Sequence, residues 1–234
     1  MRNAATKKDY MKKILFIFLS IICLPVFSQP LSLTDWQRPY IEKSVSNQAY
    51  TSVLNCEKKT PYYVFYNLFP SDFIGNAVRA TKWPSSVPQD IQRVCGANYA
   101  TTKDYLKSGY DRGHLAPAAN FNSCQTKKYL TFSFANAAPQ NKKLNEAEWK
   151  KIEEIERNST TAHNGITVIT GVIQSQNNYI NNRVGVPDYY YKIILWKDGN
   201  NINNIAYLAR NIDSIPEKVD IKYLENLSGI NFGL

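Results

Sequence analysis

The segment Tyr110-Asp111-Arg112-Gly113-His114-Leu115-Ala116-Pro117 sets an acid, a cation and an imidazole around one glycine and stops at a proline. Such a cluster reads as a site loop. Hydrolysis of a phosphodiester requires a base that activates water, a cation that neutralises developing charge, and a group that stabilises the leaving oxygen. His114 can be the base, because an unperturbed histidine titrates near ~6.5 and its neutral form is available at ordinary pH. Alone, a Gly-His pair is more often a structural histidine beside a turn, so the assignment needs a second group of residues.

That group is Asn136-Ala137-Ala138-Pro139-Gln140 followed by Asn145, Trp149, Glu153 and Arg157, the last four spaced by fours. On an α-helix each step of four advances only ~40°, so these side chains form one slowly drifting stripe. The amide of Asn145 and the carboxylate of Glu153 can then face one site. Oxygen donors of this kind suit a hard ion such as Mg²⁺, which keeps several waters and needs few protein ligands. Arg157, one turn further, can hold a phosphate. The competing explanation is a solvent face with a Glu/Arg pair at i and i+4, which stabilises a helix by roughly 0.2–0.5 kcal/mol. The presence of the His114 segment decides for the site.

Several elements must position these residues. Tyr62 to Phe69 is aromatic and branched and ends at Pro70-Ser71, the pattern of a buried strand. Gly165 to Ile173 and Tyr189 to Trp196 have the same composition and belong in a central sheet. Asn145 to Arg157 holds neither Gly nor Pro and is rich in helix formers, so it is expected to be helical. The class is therefore α+β, with a central, mainly antiparallel sheet flanked by helices. No repeat or long linker interrupts residues 29 to 234, which reads as a single domain.

The N-terminus has another purpose. Lys12 and Lys13 precede the apolar run Ile14 to Phe27, and Val26-Phe27-Ser28 comes just before Gln29. Residues 1–28 read as a secretory signal peptide. The run is shorter than the ~20 residues of a membrane span, so a stable membrane anchor is not expected and the product is secreted or periplasmic. The net charge is +9, but residues 1 to 28 carry five basic residues and one acid, which leaves +5 on the remainder. That excess favours polyanionic partners without identifying one. Past the leader stand Cys56, Cys95 and Cys124, an odd number that suggests one disulfide and one free thiol. With no C-x-x-C and only His114 and His163 as imidazoles, structural zinc is not expected.

These residues resemble the DNA/RNA non-specific endonucleases, the ββα-metal nucleases that include secreted bacterial nucleases and mitochondrial endonuclease G. Asp111-Arg112-Gly113-His114 is similar to that family's D-R-G-H signature, and Asn136-x-x-Pro139-Gln140-x-x-x-x-Asn145-x-x-x-Trp149-x-x-x-Glu153 to its metal-helix motif. The resemblance covers roughly residues 55 to 232, including Ile169-Thr170-Gly171, Val186 to Lys192 and the C-terminal Gly229-Ile230-Asn231-Phe232. It implies the ββα-metal fold and metal-dependent hydrolysis of DNA and RNA to products with 5′ phosphates. By the same resemblance His114 is the general base, Asn145 is the direct ligand of a hydrated Mg²⁺ or Mn²⁺, and Glu153 holds metal-bound waters. Asn136 orients the His114 segment, while Arg112, Arg157 and the upstream Arg79 contact or support the phosphate. Two features depart from the pattern. Phe134-Ala135 precedes Asn136 where many members have a serine next to the asparagine, and Glu154 adjoins Glu153, so that a bend would exchange the two carboxylates. His163 reads as a surface residue in a turn. The alternatives are a catalytically silent nucleic-acid-binding module, which retention of both His114 and Asn145 argues against, and a narrower phosphodiesterase or antibacterial effector.

Overall fold

A computed structural model of the chain describes residues 43–83, 89–174 and 177–234. The expected signal peptide, residues 1–28, lies outside the described residues. In chain order come β1 (Ser44–Ser46), β2 (Thr51–Asn55), β3 (Thr60–Leu68), α1 (Gln89–Cys95), β4 (Tyr110–His114), α2 (Gln125–Leu130) and β5 (Ala137–Asn141). After a π-helical turn, Leu144–Glu148, follow α3 (Trp149–Ala162), β6 (Ile166–Ile173), β7 (Tyr179–Ile180), β8 (Val184–Gly185), β9 (Tyr189–Asp198), β10 (Asn201–Arg210), β11 (Glu217–Val219) and α4 (Ile221–Ser228).

The three aromatic and branched stretches expected as central strands are β3, β6 and β9, adjacent in the middle of the main sheet. Among the described residues that sheet has seven strands, in the order β1-β2-β3-β6-β9-β10-β11, every pair antiparallel. Successive side chains of a strand go to opposite faces, so a strand covered on both sides must be apolar almost continuously. Here Val64, Tyr66, Leu68, Val168, Tyr190 and Ile194 join one core with Leu115, Trp149 and Ile152. Their alternates Tyr63, Ile169, Tyr191, Ile193 and Leu195 join a second core with Ile221 and Leu224 of α4 and with Ile230 and Phe232. The sheet is thus a middle layer between the β4–β5–α3 unit and the C-terminal helix, the α+β arrangement expected.

β10 carried no clear strand signal, because its first half is Asn-rich. Its pairing is dictated by the two-residue turn Gly199-Asn200, where Gly199 has a φ of 60° and Asp198 faces Asn201, so the chain folds directly back along β9. Cys56, just past β2, bonds to Cys95 at the end of α1, with Cα atoms 5.2 Å apart. The expected leftover thiol is not found: no described cysteine is free, Cys124 included. The Cys56–Cys95 bridge closes a loop of 39 residues. Replacing both cysteines by serine is therefore expected to lower unfolding free energy by about 2–4 kcal/mol, read as a shift of the urea midpoint.

Candidate active site

The motif expected as a loop is a strand. β4 pairs with β5 so that Asp111 faces Gln140, Arg112 faces Pro139, Gly113 faces Ala138 and His114 faces Ala137. The partner strand lies far downstream, and no local pattern announces it. Gly113 is required by packing, since a Cβ there would collide with the Gln140 side chain. The fully buried Asn136 ties the chain beyond His114 in place. Its Oδ1 accepts from the Ala116 amide at 2.8 Å, and its Nδ2 donates to the carbonyls of Ala116 and Thr131, each at 2.9 Å. Its own carbonyl accepts from the Leu115 amide at 2.9 Å. Three of these four hydrogen bonds thus hold the chain just beyond His114, and the fourth anchors Asn136 to Thr131.

The expected helix is present, but it opens with a π turn in which the Trp149 amide donates to the Leu144 carbonyl five residues back. Such widened turns recur at functional sites. The turn carries Asn145, whose Nδ2 donates to Asp111 Oδ2 at 2.9 Å, joining helix to strand and leaving the amide oxygen for another partner. Trp149 is fully buried, its ring edge-on to Tyr190 with centroids 5.6 Å apart, and this anchors the stripe inward. Glu153 is half-buried and Glu154 is exposed, which settles which carboxylate faces the interior. Burial pushes the Glu153 carboxyl up to about 7; Lys192 opposes the shift, Glu156 adds to it, and Arg157 and Arg79 oppose it.

His114 sits in an aromatic cage, with ring centroids 5.1 Å from Trp83 and 4.9 Å from Phe132. Part of the residue is exposed, but Nε2 is covered and has no hydrogen-bond partner. Burial, reinforced by the charges of Arg79 and Arg112, lowers its pKa to about 3. Both cations rest on the cage itself. The Arg79 guanidinium lies 5.1 Å from the Phe132 centroid, and that of Arg112 lies 5.2 Å from Trp83. Arg79, which is exposed, acts electrostatically on both His114 and Glu153. Arg157 donates to Asn120 Oδ1 at 3.4 Å. His163 is elsewhere, exposed and stacked on Trp196 with centroids 4.5 Å apart, in keeping with a surface role.

Residues 38–233 match the model of the DNA/RNA non-specific endonuclease family. The chain belongs to that family. It is similar to mitochondrial endonuclease G of Bos taurus, with 28% identity over 89% of this chain and 75% of the relative. A nuclease of Nostoc sp. is 29% identical over 80% of this chain and 72% of its own length. Human endonuclease G is 34% identical over 57% of this chain and 51% of the relative. The chain therefore spans about half to three quarters of these relatives. Its fold matches a chain in the crystal structure of the EndoG/EndoGI complex with a TM-score of 0.71 at 23% identity, over 86% of this chain and 92% of that one. Membership makes the protein a nuclease, a hydrolase of nucleic acids.

Each site residue expected from the sequence of this nuclease reaches the β4–β5–α3 unit or its rim. Some supporting residues were not foreseen. Asp111 was read only as the acid of the motif, yet it aims Asn145. Behind Glu153 lies a buried network in which the Glu156 carboxylate meets Lys192 Nζ at 2.5 Å and accepts from Tyr66 OH at 2.9 Å and from Asn120 Nδ2. Lys192 and Glu156 have no exposed surface. A signal existed: one lysine inside Tyr189 to Trp196, otherwise apolar, needs a buried anion.

The two shifted groups predict a pH response. Folding lowers the His114 pKa from 6.5 to about 3, so this contribution to stability is full above 6.5 and lost as pH falls through 3. Folding raises that of Glu153 from 4.5 to about 7, so its contribution is full below 4.5 and lost as pH rises through 7. In the metal-free protein, NMR should find the His114 ring neutral from about pH 5 to 8, the range in which an ordinary histidine titrates. Over the same range one glutamate carboxyl should titrate near 7, and Glu153→Gln should remove that signal.

Proposed function

We propose that this nuclease cleaves DNA and RNA phosphodiesters with little sequence preference, with His114 as general base and a divalent metal held at Asn145. The reading is carried by one observation: the strand that bears an imidazole with an unpartnered nitrogen is tied, by the Asn145–Asp111 hydrogen bond, to the helix turn that bears an amide with a spare oxygen, with arginines at the rim. The donor set fits a hard, hydrated ion. Among the described residues no three His, Cys, Asp or Glu side chains gather as a metal cage, which leaves the Asn145 oxygen and the half-buried Glu153 carboxylate. Such sparse oxygen donation suits Mg²⁺, with Mn²⁺ as the alternative. When bound, the ion would supply positive charge to the leaving 3′ oxygen. Glu153 would hold its water shell, as the family resemblance implies.

The rest of the chemistry falls to the protein. His114 is neutral at working pH and can take the proton of the attacking water. Its weak basicity in the free protein has three causes, and a bound phosphodiester anion offsets the two that come from Arg79 and Arg112. The base would thereby strengthen as substrate arrives. Arg79, Arg112 and Arg157 contact or support the phosphate, and phosphate contacts carry no sequence information, which accounts for weak base discrimination. Asn136 holds the base in position. We further propose that residues 29–234 form one nuclease domain, exported by the leader at 1–28 to the periplasm or the medium.

The purified protein should degrade supercoiled plasmid and total RNA with Mg²⁺, lose this in EDTA, and leave 5′ phosphates. His114→Ala should lower the rate by roughly 10²–10⁴, the share of a general base. Binding without cleavage in any divalent metal would instead identify a silent nucleic-acid-binding module.

A further inference from the structure

Arg79 lies on residues 76–80, which form neither helix nor strand, so the sheet does not decide where its guanidinium stands. The neighbouring backbone is held instead by the start of α2. Gln125 grips Val78 from both sides: its Oε1 accepts from the Val78 amide at 2.7 Å and its Nε2 donates to the Val78 carbonyl at 2.9 Å. Lys128 Nζ donates to the Ala77 carbonyl at 2.8 Å and to Asn122 Oδ1 at 2.5 Å. The Ala77 amide donates to the Asn122 carbonyl at 3.0 Å. Two residues past α2 comes Phe132, the ring under the Arg79 guanidinium and beside His114. One short segment thus supplies both the clamp on the backbone just before Arg79 and the surface that receives its side chain.

We propose that Gln125 and Lys128 are positioning residues for substrate binding, holding residues 77–78 in the register that sets the Arg79 guanidinium over Phe132 at the rim of the site. The inference rests on the proposed phosphate role of Arg79. Gln125 suits the task because a carboxamide is both donor and acceptor and replaces, with one side chain, the two bonds a neighbouring strand would make. Lys128 is 8% exposed, and the charge of Arg79 adds to burial in lowering its pKa, so these two cations stand close enough to sense each other.

The test is a kinetic cycle on the full chain with plasmid and Mg²⁺, comparing wild type, Gln125→Ala, Arg79→Ala and the double variant. Gln125 is exposed, so truncation should leave thermal unfolding nearly unchanged. Gln125→Ala should raise KM roughly tenfold with a smaller change in kcat, within the range that an ångström-scale misplacement costs. Gln125→Glu, which keeps the acceptor for the Val78 amide and loses the donor, should fall between. In the Arg79→Ala background the Gln125→Ala effect should vanish, because its only route to substrate is gone. An unchanged KM in Gln125→Ala, or a full effect persisting without Arg79, would overturn the clamp while leaving the Arg79 reading intact. An unchanged KM in Arg79→Ala would overturn both, and would leave the roles of His114 and Asn145 to the plasmid and RNA assay.

Discussion

The pairing of Lys192 with Glu156 governs how the site helix lies on the sheet. One charge comes from the middle of β9 and the other from α3, and both are fully withdrawn from water. An isolated buried charge is costly, and removal of one partner of such a pair typically costs 3–5 kcal/mol. The pair is tolerable only if carboxylate and ammonium meet closely and their remaining positions are filled, and Tyr66 OH and Asn120 Nδ2 fill them. A slip of α3 by one residue would break all of these contacts together. Trp149 and Ile152 supply apolar adhesion on the same side of the helix, but hydrophobic contact is not directional and would tolerate a slip.

With α3 held in register, the site follows as a meeting of two sides. The helix side contributes Asn145 and Glu153, and the strand side contributes His114 and Arg112. The Asn145–Asp111 hydrogen bond joins them, while the Asn136 amide stops the chain beyond His114 from moving away. The aromatic cage gives these groups their electrostatic character. Trp83 and Phe132 keep water from the imidazole and also seat the two guanidiniums, so one apolar surface both neutralises the base and concentrates positive charge around it. A site with this balance is completed by an anion.

The overall fold persists in a solved structure that shares only 23% of its residues with this chain. What carries the fold is internal: antiparallel register between long central strands, a layer on each face, and a few buried polar contacts.

The family and the main strands were legible in the sequence because both rest on local pattern. Residue types at fixed spacing announced His114, Asn136, Asn145 and Glu153, and continuous aromatic and branched composition announced β3, β6 and β9. Composition announced a helix over Asn145 to Arg157, but neither the π turn at its start nor the five further residues by which α3 runs on to Ala162. What required the tertiary structure is what depends on distant partners. Asp111 to His114 is a strand only because Ala137–Asn141 lies beside it. Glu153 rather than Glu154 faces the interior only because Trp149 and Glu156 are buried on that side. Asp111, Gln125 and Lys128 act through side-chain contacts that cross from one segment to another, and sequence spacing does not record such contacts.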